Sequence, residues 1–379
     1  MSEYQYYEFR AIDRPLDQEA QDALRKLSSR AEITAHGMVN TYNYGDFRGR
    51  PEELMDRYFD AFLYVANWGT RRLALRLPKG TIDVHDAQKY CDDHGEYLTV
   101  REGKEHIVVE FESIEEGGSE WTDGSTWMPR LLPIRDQLLN GDPRALYLGW
   151  IAPIWPVVGD YNNKDRDEFA RLEPPVPPGL KVLDGPLKAL AEFLRADSDV
   201  LAVACEASEG KAPAPASQAD LAHWVAKLRV EEVRKSLVGF LVGDRDATLR
   251  AELMTRYREA HAPKGGKPVK TGRRTVAEIL AAAEVREAER ERARDAKRER
   301  FLDELAPREE LVWRQVDEAI GRKCHEGYSQ AVALLTDLRD LAARSGSLDD
   351  FRDRIAGLRQ AHRGKSAFRG QLDRAKLES

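Results

Sequence analysis

The stretch VREAERERARDAKRERF, residues 285–301, consists of charged residues and alanine between its two apolar ends. Its basic and its acidic residues recur every four positions, and in an α-helix this spacing draws two neighbouring stripes of opposite charge. The basic stripe consists of Arg286, Arg290, Arg294 and Arg298. Three alanines are too little apolar surface to bury such a helix in a core. The sequence therefore predicts an exposed charged helix that bridges two packed regions.

Side chains three positions apart on a helix are neighbours, so acidic and basic residues at this spacing can pair. The pairs that the stripes predict are Glu287–Arg290, Glu291–Arg294 and Asp295–Arg298. Each such pair contributes a few tenths of a kcal/mol. Apolar residues at either end of the helix are therefore expected to anchor it.

Three segments after the charged helix, residues 311–320, 332–341 and 348–358, carry apolar residues at helical spacing. Short connections between helices with one apolar face are typical of an antiparallel bundle. We therefore assign the charged helix and a small C-terminal helical bundle to residues 273–379.

The first 118 residues combine strand-like and helix-like patterns. Leu73, Leu75 and Leu77 alternate with other residues at the period of a half-buried strand, and residues 4–12 and 106–114 also read as strands. Pro51 is typical of the first turn of a helix, and the apolar residues after it cover more than one helical face. The sequence thus predicts an α+β domain over residues 1–118, with a buried helix at residues 51–66 in its centre.

Residues 119–262 form the middle of the chain, where helical patterns alternate with proline-rich linkers. Proline cannot occupy a helix interior, so the runs at residues 174–179 and 211–217 predict linkers, and a helix is expected over residues 218–242. The fold class expected is an α+β N-terminal domain followed by a mainly α-helical region, with an exposed charged helix and a small C-terminal helical bundle.

The composition indicates a cytoplasmic protein of two or three domains. A chain of 379 residues exceeds the size at which one hydrophobic core keeps growing. Its three cysteines are far apart and give no disulfide framework. No apolar run approaches the length of a membrane span, and the N-terminus has no signal pattern, so no membrane partner is expected.

The net charge of −7 conceals a separation of charge along the chain. Residues 91–123 hold eleven acidic and two basic residues, whereas residues 351–379 hold three acidic and eight basic residues. The simpler interpretation is that both segments form solvated surfaces of opposite charge. The alternative is that the basic C-terminal tail binds nucleic acid. In the tail, Phe368 lies among Arg363, Lys365 and Arg369, which resembles a basic and aromatic contact surface.

The candidate metal ligands are His85, Cys91 and His94. Cys91 and His94 match one half of a zinc pattern, but no second pair of ligands follows at a useful spacing. A cysteine at the end of a helix is the simpler interpretation. We expect no cofactor.

Carboxylates accumulate in and after the second strand-like segment of the acidic region, at Glu110, Glu112, Glu115, Glu116 and Glu120. Such a cluster suits general acid–base chemistry or a divalent metal, which would make the protein a hydrolase or a metal-dependent enzyme. Alternation with Val109 and Phe111 favours a solvated strand face instead. No phosphate-binding loop, nucleophile elbow or HExxH motif is present, so the sequence gives no catalytic residue.

Trp121 and Trp127 lie in one loop-like segment. Exposed aromatic residues in loops are typical of protein interfaces, but tryptophans also close the junctions between domains. Both interpretations stay open from the sequence.

The segments YEFRAIDRPL (residues 7–16) and AFLYVANWGTRRLALRLP (residues 61–78) resemble those of a set of bacterial hypothetical proteins of similar length. YLGWIAP (residues 147–153) also resembles theirs. The C-terminal segment at residues 328–362 is similar to helical segments of some bacterial proteins with SWIM-type zinc fingers, although the zinc ligands of the finger are absent. Neither resemblance implies a catalytic residue.

These observations favour a non-catalytic protein, which would be a protein–protein interaction or scaffold subunit of a bacterial assembly. The residues expected to contact partners are the two loop tryptophans, the four stripe arginines, Arg363 and Arg369. A nucleic-acid-associated protein that uses the basic tail is the first alternative, and an enzyme that uses the acidic region is the second.

Overall fold

The computed structural model of the protein describes residues 3–92, 95–115, 123–155, 169–212, 217–242, 246–261 and 273–377. The chain divides into two compact units, Met1–Val285 and Arg286–Ser379. The predicted fold class is confirmed, since a sheet with helices is followed by a helical region. The sequence placed a limit at residue 118, whereas the main core of the first unit joins sheet residues to helices well beyond it.

An antiparallel sheet organises the first unit, and seven of its strands lie in the described residues in the order β2-β3-β1-β4-β5-β7-β6. The strands are β1 (Gln5–Arg10), β2 (Glu32–Thr34), β3 (Gly37–Tyr42), β4 (Ala61–Ala66), β5 (Arg71–Pro78), β6 (Leu98–Glu102) and β7 (His106–Ser113). Leu73, Leu75 and Leu77 face the same core from β5, as their alternation predicts.

Both faces of the sheet are buried. On one face lies a core of aromatic residues such as Phe9 and Phe62, which is covered by α1 (Gln18–Leu27) and α2 (Pro51–Arg57). The larger core, which contains Tyr6 and Leu63, lies on the other face. Successive residues of a strand point to opposite faces, so central strands with two buried faces are apolar throughout.

The predicted helix at residues 51–66 is wrong in its second half. The helix α2 ends at Arg57, and residues Ala61–Ala66 form β4, a central strand of the sheet. Ala61, Leu63 and Val65 enter the larger core, while Phe62 and Tyr64 enter the aromatic core. A short apolar run that is buried on two faces has the same periodicity as a buried helix, which is why the sequence pattern misled.

Six further described helices of the first unit pack on the larger core. They are α3 (Val84–Gln88), α4 (Met128–Leu131), α5 (Pro133–Leu139), α6 (Arg144–Ile151), α7 (Gly185–Phe193) and α8 (Ser198–Glu206). Three described helices follow before the charged helix, α9 (Gln218–Val225), α10 (Val230–Val242) and α11 (Asp246–His261). The single helix predicted over residues 218–242 is therefore two helices, because the chain turns at residues 226–229.

The charged helix is α12 (Val276–Leu305), and the predicted exposure of its central part is confirmed. No residue from 284 to 301, a fully described stretch, is buried. Val276 and Ile279 pack in the core of the first unit, and Leu302 and Leu305 pack in the core of the second. The remaining helices of the second unit are α13 (Glu309–Gly321), α14 (His325–Ser345), α15 (Leu348–Ala361) and α16 (Ser366–Arg374).

Candidate functional site

Trp127 is buried rather than exposed. Its ring lies 5.2 Å from the ring of Phe193 in an edge contact, and the guanidinium groups of Arg71 and Arg130 lie over it at 5.3 and 4.8 Å. The residue therefore packs within the first unit, and the interpretation as an exposed contact residue is wrong for it. Trp121 lies outside the described residues.

The stripe arginines of α12 differ in their surroundings. Arg286, Arg290 and Arg294 are exposed, and Arg294 approaches Glu291 at 4.0 Å, as the i,i+3 spacing predicts. Arg298 is more covered and pairs with Asp337 and Asp340 of α14 at 2.7 and 2.6 Å. The predicted Asp295–Arg298 pair is therefore replaced by two pairs between helices.

The basic tail does not offer an aromatic contact surface. Phe368 is fully buried in the core of the second unit, where its ring lies 5.5 Å from that of Tyr328. The ammonium group of Lys365 donates to the carbonyl oxygen of Ile320 at 3.2 Å. Arg363 and Arg369 are exposed, but the stacking group expected among them is not available to a base.

The candidate metal ligands are not arranged as a metal site in the part of the chain that the structure describes. Burial raises the pKa of the Cys91 thiol to about 11, which disfavours the thiolate that a metal would bind. Burial alone would raise the pKa of Asp92, but hydrogen bonds from the backbone N–H groups of residues 96–98 outweigh it and lower the pKa. His85 lies in α3, and His94 lies outside the described residues.

The carboxylates of β7 are paired with one cation. The guanidinium group of Arg72 contacts Glu110 at 2.5 Å, Glu52 at 3.0 Å and Glu112 at 3.9 Å. Burial raises the pKa of Glu112, and Arg72 opposes this shift. Glu115 pairs with Arg195 at 2.9 Å, and Glu116 and Glu120 lie outside the described residues. Among described residues, no group of His, Cys, Asp and Glu side chains has an arrangement that could hold a metal ion.

A different part of the first unit has the geometry of a binding site. The helices α9, α10 and α11 form a lobe that is held together by its own contacts. The ring of Trp224 in α9 meets the ring of Tyr257 in α11 at 5.6 Å, and Glu232 in α10 pairs with Arg256 in α11 at 3.4 Å. We call residues 218–261 the helical lobe.

Apolar side chains of all three lobe helices also line an open groove of about 780 Å³. Three residues from the sheet side, Ile12, Pro78 and Leu139, form its opposite wall. The apolar lining residues from the lobe are Leu221, Trp224, Val225, Leu228, Val233, Leu237, Leu249, Leu253 and Met254. The groove is open to solvent and is therefore a surface feature rather than an enclosed void of the interior.

Apolar residues also remain exposed on α10 beside the groove. Val230, Leu237 and Leu241 are 63%, 56% and 73% exposed. They lie seven and four positions apart, which places them on one side of the helix. A stripe of this kind on a helix normally faces a packed neighbour.

A buried carboxylate fixes the sheet-side wall of the groove. Asp60, which is 1% exposed, accepts hydrogen bonds from the backbone N–H groups of Ile12 and Asp13 at 2.6 and 2.9 Å. Its other oxygen accepts from Arg76 at 2.7 Å. The guanidinium group of Arg135 donates to Asp13 at 2.6 Å and to the carbonyl oxygen of Arg76 at 2.8 Å. These bonds hold the wall rigid, so the groove is preformed on this side.

A second, polar cleft of about 1200 Å³ adjoins the groove and shares Asp13 and Pro78 with it. Its lining contains both basic residues, such as Arg57 and Lys104, and acidic residues, such as Glu105 and Glu252. The two cavities together present an apolar and a polar surface side by side.

The amino-acid sequence does not reveal this site. The pattern at residues 218–242 indicates helix, but the walls of the groove also come from Ile12, Pro78 and Leu139, which are far away in the chain.

Comparison of the chain with protein-family models, with curated proteins and with solved structures finds no significant match in any of the three. The site is therefore interpreted from its own geometry. Among the described residues, no helix combines the length and the apolar character that crossing a membrane requires.

Proposed function

We propose that this protein is a non-catalytic interaction subunit that binds a helical segment of a partner protein in the groove of the helical lobe. The observation that carries the proposal is the convergence of three apolar helix faces on a groove of about 780 Å³ that none of the described residues fills. An amphipathic helix that lays its apolar side chains into such a groove is a recurrent mode of recognition between proteins. The resemblance to bacterial proteins suggests that the assembly is a bacterial one.

The chemistry of the lining supports a partner of this kind. The groove is mostly apolar and has a preformed wall on the sheet side, so little order has to be created there on binding. Trp224 and Met254 supply a large aromatic and a flexible side chain, which are both frequent at interfaces. Burial of one leucine-sized side chain stabilises a complex by about 1.5–3 kcal/mol.

The test uses the unchanged full chain and two variants of it, Leu237→Asp and Val182→Asp, as bait in a native lysate. The captured protein is then purified, and its affinity for each of the three forms is measured. Leu237→Asp places a charge in the groove at a side chain that is already half exposed, so the fold should tolerate it. The control is Val182→Asp, because Val182 is 80% exposed and lies in the same unit outside the groove.

We expect Leu237→Asp to weaken binding of the partner by at least about tenfold, since the change removes an apolar contact and buries a charge. Val182→Asp should bind as the unchanged protein does. Equal binding by all three forms, or an equal loss in both variants, would contradict the proposed function.

A further inference from the structure

The charges around the groove indicate what kind of helix it accepts. This inference rests on the proposed function, because it describes the partner of the same groove. The charged residues that line the groove are Asp13, Arg135 and Asp136. Arg135 is buried and committed to Asp13 and to the carbonyl oxygen of Arg76, so its charge is already compensated.

Asp136 is the charge that a partner would meet. It lies in α5 at the rim of the groove, its side chain is exposed, and the structure shows no ion pair of its carboxylate with another described residue. Asp13 is exposed on the same wall, at the junction with the polar cleft. The carboxylate of Asp13 pairs with Arg135, so Asp136 supplies the uncompensated negative charge of the sheet-side rim.

The lobe side of the junction adds a further acidic residue. Glu252 in α11 is exposed and lines the polar cleft, while its helical neighbours Leu249 and Leu253 line the groove. Asp136 thus lies on the groove itself, and Glu252 lies in the adjoining cleft, next in sequence to a residue that lines the groove. We infer that the groove binds a cationic amphipathic helix, whose apolar stripe fills the groove and whose Lys or Arg residues face Asp136 and Glu252.

Charge complementarity of this kind fixes the choice and the orientation of a partner more than it adds affinity. An exposed pair contributes little by itself, and like charges in the same positions repel by a similar amount. The chain as a whole carries a net charge of −7, so long-range attraction acts in the same direction. A test has to separate the local acidic rim from this general charge.

The probes are two synthetic helix-forming peptides that share one leucine stripe and carry either Lys or Glu on both flanks. Their binding to the full chain is followed by fluorescence anisotropy at low and at high salt. Asp136→Asn removes the local charge, and Glu209→Gln removes one exposed charge of the same unit that does not line the groove. Leu237→Asp reports whether the peptides occupy the groove.

We expect the Lys peptide to bind about fivefold more tightly than the Glu peptide at low salt, with the ratio falling at high salt. Asp136→Asn should reduce the ratio to about twofold, whereas Glu209→Gln should leave it nearly unchanged. Leu237→Asp should weaken the binding of both peptides.

Equal affinity of the two peptides, or an equal effect of Asp136→Asn and Glu209→Gln, would overturn the inference while the groove itself stays a binding site. Absence of Leu237-dependent binding by either peptide would overturn the helical occupant. Self-association of the chain that Leu237→Asp abolishes would overturn it too, since a second copy would then fill the groove. The proposed function is judged separately, by whether Leu237→Asp releases the captured partner.

Discussion

Replacement of Asp60 by asparagine should destabilise the first unit strongly, because this carboxylate joins three parts of the chain. It accepts hydrogen bonds from Ile12 and Asp13 after β1 and from Arg76 in β5, and Arg135 in α5 lies 3.9 Å away. An asparagine side chain has a single acceptor oxygen and no charge. It cannot serve the two backbone N–H groups and the guanidinium group together.

The magnitude follows from the burial of the group. Removal of one partner of a buried ion pair costs about 3–5 kcal/mol, and each buried donor that loses its partner costs about 1–3 kcal/mol. Arg76 keeps 20% exposure of its side chain and can be solvated in part. The asparagine oxygen can still accept from the backbone N–H groups of Ile12 and Asp13, which donate to one oxygen of Asp60, so only the ion-pair cost applies. With the partial solvation of Arg76, we expect Asp60→Asn to lower the free energy of unfolding of the first unit by about 2–4 kcal/mol.

The assay is hydrogen exchange in increasing urea, read by mass spectrometry on peptides from β1 and β4, so that the first unit is followed by itself. Asp56→Asn is the matched control, because Asp56 is half exposed and forms one contact with His106 at 2.9 Å. Its loss should cost less than about 1 kcal/mol. A cost below about 1 kcal/mol for Asp60→Asn, or equal costs for both changes, would refute this reasoning.

Three further changes test the packing described above. Phe62→Ala should cost about 3–5 kcal/mol in urea unfolding, because Phe62 is 1% exposed and stacks on Phe9 with ring centroids 4.6 Å apart. Asp92→Asn should cost about 1–2 kcal/mol at pH 7. The pKa of Asp92 is lower in the folded protein than in the unfolded chain, where it is about 3.9. The stabilisation by its carboxylate is therefore present above that unfolded pKa and is lost as the pH falls through the folded pKa. The difference in unfolding free energy between Asp92→Asn and the unchanged protein should thus be smaller at pH 3 than at pH 7. Arg298→Ala should cost about 1 kcal/mol in thermal unfolding of the second unit, and Arg294→Ala, which removes one long exposed pair, less than about 0.5 kcal/mol.

The sequence predicts elements well where their residues recur with a clear period. The alternation of Leu73, Leu75 and Leu77 identifies β5, and the exposed stripes identify the centre of α12. It fails at β4, where both faces are buried and Phe62 and Leu63 point into different cores. An apolar run without alternation has no period that distinguishes a strand from a helix.

Local spacing also misidentified the partners of charged and aromatic residues. Arg298 pairs with two aspartates of α14 rather than with Asp295, because the fold places two carboxylates within reach of one guanidinium group. Phe368 lies among basic residues in the sequence, but the periodicity of α16 turns it into the core. Tertiary packing decides the partners of Arg298, whereas the i,i+4 spacing of Phe368 and Leu372 is a signal for burial that the sequence does contain.

The groove could not be derived from the sequence for a related reason. Each of its apolar residues fits the pattern of an ordinary packed helix, and the gap between the walls exists only in three dimensions. The sheet-side wall combines residues that are far apart in the chain: Ile12 after β1, Pro78 at the end of β5 and Leu139 at the end of α5. Their convergence depends on the register of the sheet and on the bonds of Asp60.

Photo-cross-linking in the native host cell shows directly whether the groove contacts another protein. A photoreactive phenylalanine analogue at position 237 lies at the groove, and the same analogue at position 182 lies on exposed surface of the same unit. We predict a discrete adduct with another protein from position 237 and none from position 182. The additional substitution Leu253→Asp in the same groove should remove the adduct. No adduct from position 237, or the same adducts from both positions, would contradict the claim that the groove binds a partner protein.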